Sequence, residues 1–227
     1  MQGYQGFNID ELNCRRNEGE MLVMTVDQRG SRTAPDRVPA LLEALRGIPV
    51  RAPFERTVGD EVQGVPQDAD AVWSALRVMT REGDWHIGIG GGAGELGPDG
   101  ASRSGRGAAF LAARDAVEAS KSRSPSVAVR EGGLPGSERA AAVEAVAGLL
   151  VSLLQRRSEA QWQTIDLLEG GMSGQQAATV LGISPQAVSQ RRLAAGADIE
   201  RDGAAHLVRL LDALDHAAAD EPQGKRE

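Results

Sequence analysis

Two stretches of this chain carry carboxylates where acid chemistry can be built. The first is "MLVMTVD", a short apolar run that ends on Asp27 and breaks into "QRGS". The second is "FERTVGDEVQGV", in which Asp60 and Glu61 follow Gly59 between two β-rich runs. A buried strand that ends on a carboxylate delivers that group to the rim of its sheet. Two such groups from separate strands, facing one pocket, suit phosphoryl transfer. Together they hold Mg²⁺, which bridges a triphosphate and lowers the pKa of the attacking hydroxyl. Asp27 and Asp60 are the expected metal pair, with Glu61 as a third ligand or base. The backbone amides of Gln28, Arg29, Gly30 and Ser31, in the turn after Asp27, are expected to cradle phosphates. A plain structural reading stands beside this one: Asp27 as a cap after its strand, Asp60 and Glu61 as turn residues.

The elements that must position these acids follow from local pattern. "MLVMTVD" (21–27) reads as a buried strand, and "APDRVPALLEALRG" as a helix with Leu41, Leu42 and Leu45 on one face and Gly47 as its stop. "PVRAPFERTVGDEVQGVPQ" reads as two strands around a tight turn. "DADAVWSALRVMTREG" is a helix capped by Asp68 or Asp70 that buries Val72, Leu76 and Met79, and "DWHIGIGGG" is the next strand. The order β-α-β-β-α-β is the split βαβ pattern of ferredoxin-like and palm domains, with both helices on one face of an antiparallel sheet. A glycine-rich loop follows, then a helix, "AAFLAARDAVEASK", a strand, "SVAVRE", and a long helix, "GSERAAAVEAVAGLLVSLLQRR", apolar almost all round. A helix of that kind is expected between domains or subunits. In the loop, "GIGGGAG" lacks the helix and the βαβ frame of a dinucleotide fingerprint. Its Arg103 and Arg106 are expected either to close over a polyphosphate or to lie on a surface loop.

The last third is helical, and "MSGQQAATVLGISPQAVSQRRLA" has helix-turn-helix grammar. Ser173 caps a first helix that buries Ala177, Ala178 and Leu181. Gly182 ends it where a left-handed backbone is cheapest for glycine. Ile183 plugs the core, Ser184 caps the second helix, Pro185 occupies its first turn and Val188 anchors it. Gln186, Ser189, Gln190, Arg191 and Arg192 then point outward. Glutamine reads adenine edges, and arginine reads guanine or holds phosphate. The stretch is similar to the helix-turn-helix of sigma-factor region four and of MarR-like regulators. With Ser184 at its start, this helix is the expected contact with double-stranded DNA. Residues 159–201 are near charge balance, so one copy holds few phosphates and a homodimer is expected.

Four stretches of the N-terminal part resemble class III nucleotidyl cyclases, in order, over residues 21–121. "VMTVDQRGS" is similar to their first, metal-binding strand. "RTVGDEVQGV" resembles their Thr-x-Gly-Asp hairpin, "WHIGIGGG" a later strand, and "GAAFLAARDAVEA" their Asn-x-x-x-Arg helix. "GDE" also resembles the GGDEF diguanylate cyclases, and the combination with a helix-turn-helix resembles the small SatD family. The resemblance implies Asp27 and Asp60 as Mg²⁺ ligands and Arg114 as the transition-state arginine. Arg56 stands where cyclases place a purine-selecting lysine. Arg103 stands in place of their purine-reading aspartate, and Phe110 in place of their catalytic asparagine, which removes a polar group from the transition-state apparatus.

The fold expected is therefore α+β: an arm (1–20), a cyclase-like palm with a connecting helix (21–157), an all-α helix-turn-helix domain (158–218) and a tail (219–227). The function expected is a transcriptional regulator that senses a nucleotide or nucleotide messenger. The alternative is an active metal-dependent nucleotidyl cyclase targeted by its helix-turn-helix, using Asp27, Asp60 and Arg114. Composition narrows the classes. The 227 residues are 41% hydrophobic and 25% charged, ordinary for a globular chain, with a net charge of −7 that argues against a wholly basic nucleic-acid coat. Cys14 is the only cysteine, so no internal disulfide or thiolate metal cluster is available, and the three histidines lack ligand spacing. No signal peptide or membrane span is read, and the expected location is cytoplasmic.

Overall fold

The computed structural model describes residues 19–215. Residues 1–18 of the expected arm, the expected tail and residues 216–218 lie outside the described residues. The described chain is a mixed α+β structure with a six-stranded sheet and eight α-helices. In order these are β1 (Glu20–Gln28), α1 (Val38–Ala44), β2 (Val50–Arg56), β3 (Glu61–Pro66), α2 (Ala69–Glu82) and β4 (Trp85–Glu95). A 3₁₀ turn (Ser102–Ser104), β5 (Arg106–Gly107), α3 (Ala108–Ser120), β6 (Val127–Glu131) and α4 (Glu138–Gln155) follow. The chain then runs through α5 (Glu159–Glu169), α6 (Gly174–Leu181), α7 (Pro185–Ala194) and α8 (Ala197–Asp215).

The strand order is β2-β3-β1-β4-β5, with β6 also on β4. Strand β1 is antiparallel to both neighbours, β3 and β4, and β6 runs parallel to β4. Alternation along β1 sorts its side chains between two cores. Leu22, Met24 and Val26 join the larger core with Val38 and Leu41 of α1, Val72 and Leu76 of α2, and residues of α4 and α8. Met21 and Val23 face the other side, where Ala109, Phe110 and Ala113 of α3 close a smaller core. Asp27 has the same parity as Met21 and Val23, so it projects onto the α3 face at the end of the strand.

Glycines of β4 decide how close α3 comes. A Cβ on Gly88 would meet the Val117 backbone nitrogen at 2.3 Å, and one on Gly90 would meet Ala109 O at 2.3 Å. The helix therefore lies directly on the strand backbone, while Ile87 and Ile89 pack on the opposite face. This is the physical use of the alternating "HIGIG" run.

Three elements differ from the sequence expectation. Helix α1 begins only at Val38, because Arg37 is held outside it by its own contacts: its N–H donates to Gln28 Oε1 at 2.9 Å and its guanidinium to Glu82 O at 2.6 Å. Strand β4 continues into the glycine-rich stretch as far as Glu95, where the short β5 pairs with it. Helix α8 starts at Ala197 and returns to the sheet unit, placing Leu207, Leu211 and Leu214 in the larger core. Helix α8 thus packs with the sheet unit, while α5, α6 and α7 contribute to a small core of their own. That small core contains Ala177, Ala178 and Val188, with Leu167, Leu168, Leu181 and Ile183 against it.

Candidate nucleotide pocket and reading helix

Register places the acids. Asp27 lies opposite Glu61 of β3 and opposite His86 of β4, so the three form one row across the end of the sheet. Asp60 sits just before β3, in a turn that closes through Thr57 N–H to Glu61 O at 2.9 Å and Glu61 N–H to Val58 O at 3.0 Å. Gly59, at φ 62°, supplies the left-handed residue the turn needs. Glu61 is spent on this turn: its Oε1 accepts the Thr57 hydroxyl at 2.5 Å.

The Asp60 carboxyl faces Ser31, Asp27 and the Gln28 backbone. Burial pushes its pKa up, but hydrogen bonding to Ser31, to Asp27 and to the backbone N–H groups of Asp60 and Gln28 outweighs this and holds it below the ordinary 3.8. One oxygen, Oδ2, is buried without a hydrogen-bond partner. Beside the pair opens a cleft of about 350 Å³ lined by Gln28, Ser31, Arg32, Asp36, Arg56 and Asp60. Arg56, expected to face a purine, instead grips Asp36 with two bonds of 2.7 and 2.6 Å and reaches Gly59 O at 3.0 Å. That grip pulls the Asp36 pKa down. Gln28 fastens the same wall, donating to Pro35 O at 2.7 Å. Among the expected cradle amides, the Arg29 N–H is taken by Asp84 O at 2.8 Å.

The remaining expected residues are not gathered here. Arg103 pairs with Glu55 at 3.4 Å, and Arg106 pairs with Glu95 at 2.8 Å. Glu95 is nine residues along β4 from His86, roughly 30 Å at strand rise, so Arg106 cannot close over the acids. Arg114 is exposed on α3. Phe110 is fully buried against Gly94 and Gly105, filling space as a core residue.

Sequence reasoning missed Lys121. It stands at the C-terminal end of α3, and its Nζ lies 2.7 Å from Asp27 Oδ2 and 2.6 Å from Glu118 Oε1. These partners, Asp27 first, raise its pKa above 10.5. Its rarity was the available signal: it is one of only two lysines in the chain. His86 completes the row on the β4 side. Its Nδ1 is 2.6 Å from Ser126 Oγ, which itself donates to Ser120 O at 2.7 Å, so Nδ1 carries the proton. Burial, then the charge of Arg29, lowers the His86 pKa below 6.5.

These residues do not fit a resident Mg²⁺ on Asp27 and Asp60. The orphaned Asp60 oxygen favours a cation, but the Lys121 ammonium already takes Asp27 Oδ2. Among the described residues, no three His, Cys, Asp or Glu groups converge to hold a metal.

The caps and the turn expected between α6 and α7 are formed, while two of the residues expected to point outward are not free to do so. Ser173 caps α6 in a full capping box with Gln176. Gly182 is left-handed at φ 64°, ψ 32°, and Ile183 N–H returns to Ala178 O at 3.1 Å. Ser184 caps α7 through Ala187 N–H at 3.2 Å, which commits its hydroxyl to the helix. Gln186, Ser189 and Gln190 are exposed on α7, with Arg191 half-buried beside them. Arg192 is tied to Asp198 instead of projecting freely.

No family model matches the chain, and no curated protein matches it. A solved structure of a regulator of polyketide synthase expression from Bifidobacterium adolescentis aligns over 94% of this chain and 87% of its own, at 12% identity and a TM-score of 0.28. That score is too low to define a shared fold. No helix among the described residues is long and apolar enough to cross a membrane.

Proposed function

We propose that this chain is a DNA-binding transcriptional regulator of the SatD type. In this reading a degenerate cyclase-like palm senses a nucleotide or nucleotide messenger and is joined to a helix-turn-helix that works as a homodimer. The observation that carries it is the α6–Gly182–α7 unit. Small buried residues, Ala177 and Ala178, let the helices cross closely, a left-handed glycine turns the chain, and α7 leaves Gln186, Ser189 and Gln190 exposed. The order β2-β3-β1-β4 supports the palm reading, since it is the order of a split βαβ sheet with α1 and α2 on one face. The cleft beside Asp60 is the place for the ligand. Phe110 in the core and Arg103 paired to Glu55 weigh against the enzymatic alternative. Coupling requires that the ligand bind one arrangement of the two parts better than the other.

The test is selection of genomic fragments by the purified chain, followed by fluorescence anisotropy on the selected duplex. Gln190→Ala with Arg191→Ala is expected to weaken specific binding by about tenfold or more, the loss of a bidentate base contact. Unchanged binding in a folded variant would remove α7 from the reading surface.

A further inference from the structure

Asp27 and Asp60 bring two carboxylates to one end of the sheet, and α3 brings a single ammonium to the same place. The ammonium is held there by construction. Lys121 closes the C-terminal end of α3, where its N–H returns to Glu118 O at 3.2 Å and where the helix dipole favours a cation. Helix α3 is fixed in turn by its seat on Gly88 and Gly90, where no Cβ could be accommodated. Nζ then donates to Asp27 Oδ2 at 2.7 Å and to Glu118 Oε1 at 2.6 Å, which uses two of its three donors. A Mg²⁺ ion bound to Asp27 would need a carboxylate oxygen at about 2.1 Å and would stand against this ammonium.

We infer that Lys121 is the built-in cation of the Asp27–Asp60 pair and makes this end of the sheet a metal-independent site. The ammonium supplies positive charge at the carboxylate where a divalent ion would otherwise bring it. The inference concerns the charge balance of the pair and stands whether or not a nucleotide binds. Arginine at the same place keeps the charge; methionine keeps the length and removes it.

The experiment titrates Mn²⁺ into the full chain and follows the free aqueous ion by electron paramagnetic resonance. The wild-type protein is expected to leave Mn²⁺ free under conditions where Lys121→Met retains one ion per chain, at least about tenfold more tightly, because a like charge has been removed within contact distance. Lys121→Arg should behave as wild type, and adding Asp27→Asn to Lys121→Met should abolish the new site. An ion retained by the wild-type chain and lost in Asp27→Asn overturns the inference without any lysine variant. So does a Lys121→Met protein that keeps wild-type circular dichroism and thermal unfolding yet retains no Mn²⁺.

Discussion

Two clusters of charge in this molecule pair cations with carboxylates to opposite ends. At the seam between the sheet unit and the helices α5–α7, Trp162 is surrounded by the guanidinium groups of Arg77, Arg81 and Arg157, at 5.2, 5.1 and 4.8 Å from its ring. Arg157 bonds Glu200 and, through two nitrogens, Ala195 O at 2.9 and 2.7 Å, while Arg77 reaches Glu200 at 2.8 Å. The Arg157 and Glu200 side chains are only 1% and 6% exposed. At the end of the sheet, Lys121 and Asp27 pair at a similar distance but are 38% and 20% exposed. Solvent screens the second pair to about 1 kcal/mol or less, whereas the first cannot lose a partner without stranding a buried charge. The seam is thus a structural lock between the two parts, and the sheet end is left electrostatically adjustable.

The largest effect is expected at the seam. Glu200→Ala leaves Arg157 buried without its carboxylate and frees one bond of Arg77, and should cost about 3–5 kcal/mol of stability, read by urea unfolding of the full chain. A loss below about 1 kcal/mol would make the two clusters equivalent and end the contrast. Gly88→Ala acts on the other cluster. It forces a Cβ against the α3 backbone and should cost about 1–3 kcal/mol, as overpacking does, while shifting Lys121 relative to Asp27. An unchanged melt would mean that α3 is not seated on β4 as described.

The smallest effect is a pH dependence at the sheet end. His86 has a folded-state pKa below its ordinary 6.5, so between the two values the unfolded chain binds more protons. Its contribution is therefore present above pH 6.5 and is lost as pH falls through that value toward the folded pKa. His86→Asn should flatten this slope in unfolding midpoints taken across that range. A slope that survives the substitution would assign it elsewhere.

Much of this was legible from local pattern. The βαββαβ run could be read because each element carries its own periodicity and its own stop: "MLVMTVD" breaks at "QRGS", and Asp68 caps α2 through Ala71 N–H at 2.9 Å. The α6–α7 unit was legible because Ser173, Gly182, Ser184 and Pro185 each satisfy a backbone requirement within a few residues. The reach of α8 was not. Its apolar face is compatible with any core, and only the packed chain sends Leu207, Leu211 and Leu214 to the sheet instead of to α6 and α7.

The candidate site divides along the same line. The sequence by itself determined that Asp27 ends a buried strand and that Asp60 sits in a glycine turn, because strand period and turn chemistry act over neighbouring residues. Only the tertiary structure decided their partners. It spent Glu61 on Thr57 and Arg56 on Asp36, carried Arg106 to the far end of β4, and brought Lys121 to Asp27 across 94 positions of chain. Ion pairs are chosen by distance in space, and a lysine at the end of one helix has no local mark to say which carboxylate it will meet.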